Sequence, residues 1–517
     1  MYRLRWITLI FVVIMGCLLA GCNSNQAGKT SAKRYEVKSE YLIDPDKMVA
    51  LADQSAAFWI NAYDAQEGGF FAYVGRDGSV DMSQPYKITS IQSRDAYSFA
   101  RAYQLTGKNE YLDYARKALD FMYEHSWDKE SGGWFQELNR DGSLPSQPIL
   151  PGQNWNNMKW LTLFDPMKGI SAMADATRNS TDTGWMQKSF SVLQEHMWDD
   201  RPDFKGYYDM ALADWSEPSN KTLASAEGGL QHYLMIRPLL EAPEAEKDVF
   251  LSELANVFVD RIIPTLGKNP FGVIENFDSN WSSDIPQPSQ TNSGNFLKPA
   301  WCLAMAYLAQ PEEEYRKAVQ ALIDEVLYSD AYDSVNKGFY SDLTFGKGKP
   351  VALTKCWWIV GQTVFSGLIA NYITGNDEYL KMADESMMFY TEHFYDYTYG
   401  EVYGDIASDG TVTNTEKGNY FKGGGHSMEL YYYTYLYGNL MLNNEPVTLY
   451  YYIEPSPSAR EIVLTPVELG SSRQLTISEI LLDGKEYSDY DRSQCLLNIP
   501  GNTGGEFKVT FKPIAVN

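Results

Sequence analysis

The segment from Ala102 to Asp128 reads AYQLTGKNEYLDYARKALDFMYEHSWD, and the segment from Asn371 to Asp396 reads NYITGNDEYLKMADESMMFYTEHFYD. Both contain, in the same order, Tyr, Thr-Gly, Tyr-Leu, Ala, Glu-His, an aromatic residue and Asp. The number of residues from the Thr to the final Asp is also the same in the two segments. Two segments that are so similar and so far apart indicate an internal structural repeat.

The end of this repeat, an aromatic residue and Asp followed by a turn that contains Gly, recurs along the chain. It occurs at Asp64, Asp128, Asp199, Asp333 and Asp396, and a degraded copy, LGKNPFGVI, lies near residue 266. The regular spacing of these copies predicts six units between about residue 45 and about residue 440.

Apolar residues within a unit have helical spacing. Ala115, Leu119 and Met122 follow one another at steps of four and three residues, which places them on one face of a helix. Each unit is therefore predicted to be a helix hairpin, and the six must pack together because one hairpin cannot bury its inner face alone. We predict a mainly α protein in which six hairpins close into an (α/α)6 barrel, with an open solenoid as the alternative.

The sequence changes character after residue 444. Segments such as VTLYYYIEP, REIVLTPVEL and EFKVTFKP are short, rich in β-forming residues and separated by Pro, Gly and Ser. We therefore predict a barrel domain over residues 45–444 and a small antiparallel β domain over residues 445–517. The expected role of the β domain is to pack against the barrel.

The first residues contain two arginines, then an apolar run that ends in Leu-Ala-Gly-Cys. A short apolar core followed by small residues is typical of an export signal. The ending resembles the bacterial lipoprotein signal, in which Cys22 is acylated and becomes the first mature residue. We expect a signal peptide over residues 1–22, a flexible tether over residues 23–44, and an exported protein that lipid on Cys22 anchors to the cell envelope. Asn23 resembles the pattern for outer-membrane sorting in Gram-negative bacteria.

The charge and the cysteines exclude several classes of partner. The formal net charge of −24 repels nucleic acid and anionic lipid, so we expect neither as a partner. Cys302, Cys356 and Cys495 are scattered and odd in number, which argues against a disulfide framework and a metal cluster. The chain has no phosphate loop, zinc spacing or dinucleotide fingerprint. We expect no metal and no organic cofactor, and a saccharide as the substrate.

The five histidines fall into two groups. His125, His196 and His393 occupy the same place in their units, after Glu and before the aromatic-Asp pair, which predicts a structural role. His232 and His426 lie outside that place, each where a helix is expected to begin. A helix N-terminus favours the neutral imidazole, which is the form that a general base needs.

Three stretches of the predicted barrel resemble the N-acylglucosamine 2-epimerase superfamily of sugar epimerases and isomerases. They are SIQSRDAYSFARAYQLTG with Arg94, KCWWIVGQTVFSGLIANYITG with Lys355, and YFKGGGHSMEL with His426. The resemblance implies that Arg94 contacts the substrate, that His426 is one of two acid/base groups and that His232 lines the same cavity. Lys355 is also expected to contact the substrate.

Two elements depart from the pattern of this superfamily. Gln362, in the segment that contains Trp358, stands where a carboxylate is usual, and we expect both side chains to contact the substrate. The second catalytic His and its Glu align with Asn295 and Lys298, which are also candidate substrate contacts. Epimerisation beside a carbonyl needs an acid and a base on opposite faces of the sugar, and Asn supplies neither.

The first hypothesis is therefore a sugar epimerase or isomerase in which His426 and His232 are the acid/base pair and Arg94 orients the substrate. The second hypothesis is a polysaccharide lyase or glycoside hydrolase that uses the same cavity. A lyase would neutralise a uronate through Asn295, Lys298 or Arg94. A hydrolase would need two carboxylates, for which the candidates are Asp95, Asp165 and Glu227.

The third hypothesis is a surface glycan-binding protein without catalysis. Sugars would stack on tryptophans, for which the candidates are Trp155, Trp160, Trp357 and Trp358. The stretch PGQNWNNMKW is expected to form a loop over the barrel mouth. Its amide side chains, Asn154, Asn156 and Asn157, could bond sugar hydroxyls.

Overall fold

A computed structural model of the chain describes residues 34–152, 154–160, 165–267 and 271–516. The predicted signal peptide with Cys22 and the first half of the predicted tether lie outside these residues, as does part of the degraded repeat near residue 266. Among the helices that the structure describes, none has the length and the apolar character needed to cross a membrane.

Twelve helices follow a short first helix, α1 (Glu40–Ile43), and they alternate between an outer and an inner layer. The outer helices are α2 (Lys47–Trp59), α4 (Asn109–Phe121), α6 (Ser180–His196), α8 (Glu244–Val257), α10 (Glu313–Leu327) and α12 (Asp377–Phe389). The inner helices are α3 (Thr89–Thr106), α5 (Asp165–Thr177), α7 (Leu223–Ile236), α9 (Gly294–Ala309), α11 (Trp357–Thr374) and α13 (Gly425–Tyr437).

The inner helices close into a ring. Each inner helix packs against the next one along the chain, and α13 returns to pack against α3. The outer helices cover the outside of this ring. The predicted (α/α)6 barrel is therefore confirmed, and the open solenoid is wrong because the first and last inner helices are in contact.

Inner and outer helices differ in their sequence pattern. The outer helix α4 has one buried apolar face with Ala115 and Leu119, while its charged residues lie on the other side. Met122 continues that face in a π-helical turn, Met122–Ser126, that ends the helix. The inner helix α11 is apolar and is buried along most of its length, because it contacts other helices on several sides.

Short antiparallel strand pairs join neighbouring units at the end of the barrel where the inner helices begin. Five pairs connect a strand before an inner helix to the loop of the next unit: β1 (Lys87–Ile88) with β2 (Glu137–Leu138), β3 (Met158–Trp160) with β6 (Met210–Leu212), β7 (Lys221–Thr222) with β8 (Asn276–Phe277), β9 (Gln290–Asn292) with β10 (Asp342–Thr344), and β11 (Thr354–Cys356) with β12 (Asp405–Ala407). A further pair, β4 (Trp198–Asp199) with β5 (Gly206–Tyr207), lies within the third unit. A backbone bridge from Gly418 to Val74 joins the last unit to the first.

The aspartates of the repeated turns form buried ion pairs with lysines that precede the inner helices. The Nζ–Oδ distances are 2.7 to 3.2 Å in five pairs: Asp64–Lys87, Asp128–Lys159, Asp199–Lys221, Asp333–Lys355 and Asp396–Lys417. These lysine side chains are at most 1% exposed and the aspartates at most 9%. A buried charge is tolerated only when it is paired and hydrogen-bonded, so each turn and each strand depend on one another.

Lys355 belongs to this set of pairs. Its ammonium is fully buried, 3.2 Å from Asp333 Oδ2, and it also donates to the carbonyl of Lys337. These contacts contradict the expectation that Lys355 contacts the substrate, because its three donors point into the protein. The fourth unit lacks the pair: Thr291 of β9 takes the corresponding register position, opposite Leu343.

The residues after α13 form two antiparallel sheets. The strands of the first, in spatial order, are β13 (Val447–Ile453), β19 (Gly505–Ala515), β15 (Arg473–Leu482) and β16 (Lys485–Glu486). The strands of the second are β14 (Arg460–Val463), β18 (Leu496–Ile499) and β17 (Tyr490–Asp491). The predicted antiparallel β region is confirmed, and β13 packs against α3 and α5. Its treatment as a separate domain from residue 445 stays a prediction.

We predict that Lys355→Met lowers the free energy of unfolding by about 3–5 kcal/mol, because it leaves Asp333 buried without its cation. Urea unfolding followed by circular dichroism measures this change. The double variant Asp333→Asn/Lys355→Met is expected to recover much of the loss, since no unpaired charge remains.

The matched control is Lys381→Met, which removes an exposed ion pair with Glu378 at 3.4 Å. Exposed pairs contribute less than about 1 kcal/mol, so this variant is expected to unfold close to the wild type. Equal losses in Lys355→Met and Lys381→Met would contradict a stabilising role for the buried pairs.

Candidate active site

Side chains from five inner helices meet near the ends of those helices that carry the short strand pairs. We call this group the polar cluster, and its members are Arg94 on α3, Asp165 and Lys168 on α5, Glu227, Gln231 and His232 on α7, Lys298 on α9, and His426 and Glu429 on α13. Most of these residues lie in the first or second turn of their helices. The ring of inner helices therefore brings together residues that are far apart in the sequence.

His426 is held by a carboxylate on its own helix. Its Nδ1 lies 2.7 Å from Glu429 Oε2, and Glu429 Oε1 lies 2.6 Å from Lys168 Nζ and accepts a hydrogen bond from Gln231. The charge of Lys168 and the hydrogen bond from His426 keep the pKa of Glu429 well below its ordinary value against the effect of burial. An ionised carboxylate only accepts hydrogen bonds, so Nδ1 of His426 carries the proton and Nε2 of the neutral ring has the lone pair.

His232 has the same tautomer for a different reason. Its Nδ1 lies 2.8 Å from the backbone carbonyl oxygen of Gly228, one turn earlier in α7. A carbonyl oxygen can only accept, so Nδ1 is the donor and Nε2 of the neutral ring has the lone pair. Burial lowers the pKa of both His232 and His426 to about 4, and the positive charge of Lys168 acts in the same direction on both. Both imidazoles are therefore neutral near pH 7.

The two remaining cations of the cluster are each paired with a carboxylate. Arg94 Nη2 lies 2.9 Å from Asp165 Oδ2, and the guanidinium also donates to the carbonyl of Phe421. Lys298 Nζ lies 2.6 Å from Glu227 Oε1. Burial alone would raise the pKa of Asp165, but the Arg94 guanidinium holds it below its ordinary value.

An aromatic wall lies beside His426. The ring centres of Trp358 and Trp357 are 6.0 and 6.4 Å from the centre of the imidazole. Trp358 lies over the start of α9, where a Cβ on Gly294 would be 2.2 Å from its ring. Glycine is therefore required at position 294 if Trp358 is to keep this place.

The three glycines before His426 allow close packing against α3. A Cβ on Gly423, Gly424 or Gly425 would lie 2.8 to 3.0 Å from side-chain atoms of Asp95, Ser98 and Arg94 respectively. Asp95 is fully buried and its Oδ1 accepts the Gly424 N–H at 2.9 Å. Burial raises the pKa of Asp95 to about 7. This carboxylate therefore fixes the start of α13.

Four of the residues predicted as substrate contacts lie neither in the polar cluster nor in the aromatic wall. Lys355 is in its turn ion pair, and Asn295 lies beside Thr291 and Glu275. Trp155 is half-buried and packs against the apolar residues around Ile88. Gln362 is buried one turn beyond Trp358, and its Oε1 accepts no hydrogen bond from the residues that the structure describes.

The three histidines of the repeated position, His125, His196 and His393, lie at the C-terminal ends of outer helices and pack against other aromatic rings. The ring centres of His125 and Phe121 are 4.7 Å apart, as are those of His393 and Phe389. His196 stacks on Trp215 at 4.7 Å with an angle of 12° between the ring planes. Their packing agrees with the structural role predicted for them.

The sequence of the barrel matches a known protein family. The family model described as N-acylglucosamine 2-epimerase (GlcNAc 2-epimerase) matches residues 68–422. The chain belongs to the N-acylglucosamine 2-epimerase family. A cellobiose 2-epimerase from Bacteroides fragilis is 22% identical over 383 residues, which are 71% of this chain and 91% of that protein.

Solved structures with the same fold come from within and outside this epimerase family. A crystal structure of D-mannose isomerase has a TM-score of 0.66 at 19% identity and covers 77% of this chain and 99% of its own. A glycoside hydrolase family 76 mannosidase from Bacteroides thetaiotaomicron has a TM-score of 0.54 at 12% identity, and the match covers 76% of this chain and 98% of the mannosidase chain. At these identities the likeness shows the fold alone.

Three members of the polar cluster were not predicted as site residues from the sequence: Lys168, Gln231 and Glu429. Glu429 follows His426 by three residues on a helix, a spacing that brings side chains together and could have suggested the pair. Lys168 has no such local signal, because it reaches Glu429 across the ring from α5. In the part of the chain that the structure describes, no three His, Cys, Asp or Glu side chains are arranged to hold a metal ion.

We predict that His426 and His232 both stay neutral until the pH falls to about 4. In the unfolded chain these histidines take up protons below about pH 6.5. Each therefore lowers the free energy of unfolding progressively as the pH falls from 6.5 to 4. Nitrogen-15 NMR of histidine-labelled protein measures both the titration and the tautomer.

The variants His426→Asn and His232→Asn assign the two imidazole signals. Both signals are expected to show a protonated Nδ1 and a lone pair on Nε2. Titration of either ring near pH 6.5, or the opposite tautomer, would contradict the environment described for the polar cluster.

Proposed function

We propose that this protein is a sugar epimerase or isomerase that moves a proton at C2 of an aldose, with His426 and His232 as the acid/base pair. The observation that carries the proposal is the presence of two neutral imidazoles in one cluster, each with a fixed tautomer and a lone pair on Nε2. General acid/base catalysis at a carbon beside a carbonyl needs groups of this kind.

In the proposed reaction, Nε2 of one histidine takes the proton from C2 of the open-chain sugar. The C2–H electron pair forms the C1=C2 double bond, and the electrons of the C1=O1 bond move to O1, which gives an enediolate. The second histidine takes a proton from solvent at Nε2 and delivers it to the other face of C2, the electrons on O1 re-form the C1=O1 bond, and the first histidine releases its proton to solvent, which gives the epimer. Delivery of the proton to C1 instead, with transfer of the O2 proton to O1, gives the ketose. Glu429 keeps the Nδ1 proton of His426 in place, so that Nε2 is the atom that exchanges protons.

The known relatives suggest the substrate class. The names of the two relatives described above refer to a disaccharide, cellobiose, and to a monosaccharide, mannose. We therefore propose an aldose with a free reducing end, as a monosaccharide or at the end of a short oligosaccharide. In this proposal Arg94, which pairs with Asp165, orients the sugar, and the sugar stacks on the half-buried ring of Trp358 beside His426.

A glycoside hydrolase is less well supported by the polar cluster. Hydrolysis needs one carboxylic acid that is protonated and one carboxylate that is free to act as base or nucleophile. In this cluster Asp165, Glu227 and Glu429 each hold a cation at 2.6 to 2.9 Å. The similarity to family 76 hydrolases is therefore a similarity of fold, and the polar cluster does not offer the two free carboxyl groups that hydrolysis needs.

The proposal predicts exchange of the C2 proton of an aldose with solvent. Proton NMR in deuterated water, over a panel that contains cellobiose, mannose, glucose and N-acetylglucosamine, is expected to show loss of the C2–H signal with at least one sugar. His426→Asn and His232→Asn are each expected to reduce this exchange by at least about 100-fold, the usual scale of one acid/base group.

The matched control is His125→Asn, which changes a histidine that packs against Phe121 outside the cluster. It is expected to keep the exchange rate of the wild type. Absence of exchange with every sugar would overturn the proposal. New reducing ends, or a new absorbance at about 235 nm, from a polysaccharide panel would instead support the hydrolase or lyase alternative.

We also propose that Cys22 carries the lipid that tethers the protein to the cell envelope. Its support is the Leu-Ala-Gly-Cys ending of the apolar N-terminal segment. Cells fed an alkyne-labelled fatty acid are expected to label the wild-type protein and to leave Cys22→Ser unlabelled. Labelling of Cys22→Ser to the same extent would contradict the anchor.

A further inference from the structure

Asn295 and Lys298 both lie in the first two turns of α9, and the structure separates their side chains. Asn295 lies beside Thr291 and Glu275 at the edge of the barrel. Lys298, one turn later, enters the polar cluster and forms an ion pair with Glu227 of α7 at 2.6 Å. Lys298 therefore contributes its positive charge to the cluster itself.

Two lysines lie in the cluster, and they differ in their access to a bound sugar. The side chains of Lys168 and its partner Glu429 are 3% and 1% exposed, so that pair is sealed between helices. The side chains of Lys298 and Glu227 are 19% and 12% exposed. The side chain of Lys298 therefore has surface that a ligand can reach, while Glu227 holds its ammonium in position.

Lys298 lies on the His232 side of the cluster. Its positive charge lowers the pKa of both His232 and Asp165. The charges of Glu227 and Glu429 raise the pKa of Lys298 above its ordinary value, against the effect of burial, so the ammonium keeps its proton. A permanently charged lysine is suited to stabilise a developing negative charge and is a poor general base.

We infer that Lys298 is a catalytic residue whose ammonium hydrogen-bonds to O1 of the open-chain sugar and stabilises the enediolate that forms when C2 loses its proton. This inference rests on the proposed function. The lysine donates a hydrogen bond and keeps all three of its protons, so the proton balance is carried by the histidines alone. The electron pair released at C2 ends on O1, which is the atom that faces the ammonium.

The test compares Lys298→Met, which removes the charge at similar size, with Lys298→Arg, which keeps it. Lys298→Met is expected to lower kcat for C2 exchange by at least about 100-fold, the usual effect of removing one donor to an oxyanion. The KM for the same sugar is expected to stay close to that of the wild type. Lys298→Arg is expected to keep kcat within about tenfold of the wild type, because a guanidinium also donates to an oxyanion.

Lys298→Met leaves Glu227 buried without its cation. The double variant Glu227→Gln/Lys298→Met has no buried unpaired charge and is therefore the control for this effect. Its kcat is expected to be as low as that of the single variant, with the unfolding midpoint of the wild type. A kcat that recovers in the double variant would overturn the inference and assign Lys298 to the structure. Equal activity of Lys298→Met and the wild type would also overturn it.

A second readout separates this inference from the proposed function. Loss of the Lys298 charge is expected to raise the pKa of His232 and to move the acid limb of kcat/KM to higher pH. If the wild type exchanges C2–H and the limb does not move in Lys298→Met, the role of Lys298 is wrong while the epimerase proposal stands. If the wild type shows no exchange, both proposals fail.

Discussion

The buried pairing of a turn aspartate with a lysine before an inner helix is the interaction on which the rest of the barrel depends. Each pair connects the loop after an outer helix to the strand from which the next inner helix begins. A buried ammonium that lost its carboxylate would cost several kcal/mol, so the turn cannot move without the strand. Repeated around the ring, the pairs set the places at which the inner helices begin, and the polar cluster is built from residues near those places.

The polar cluster obeys the same rule of compensated charge. Arg94, Lys168 and Lys298 each have a carboxylate within 2.9 Å. Because the charges cancel in pairs, the two histidines are left neutral between them, and burial keeps them so. The site therefore combines cations that can stabilise an oxyanion with bases that are unprotonated near neutral pH. Such a combination suits proton transfer at carbon better than the cleavage of a glycosidic bond.

The sequence predicted the barrel because each unit repeats a visible pattern around its aspartate turn. It did not predict the lysine partners: in four of the five pairs the lysine follows the aspartate by 21 to 23 residues, but no motif marks the lysine itself. Lys355 was consequently assigned to the substrate. His426 could be placed from the family resemblance, and Glu429 from its helical spacing. Lys168 could not, because its contact with Glu429 exists only when α5 and α13 are brought together by the ring.

The bridge between Gly418 and Val74 joins the last unit of the barrel to the first, so the ring closes only after the last unit has been synthesised. The last inner helix, α13, both completes the ring and carries His426, so a chain that has been made only as far as α12 has an open gap between its first and fifth units. Such a precursor exposes the apolar flanks of α3 and α11 and lacks one of its two histidines. The polar cluster is therefore incomplete until α13 has been made and has closed the ring.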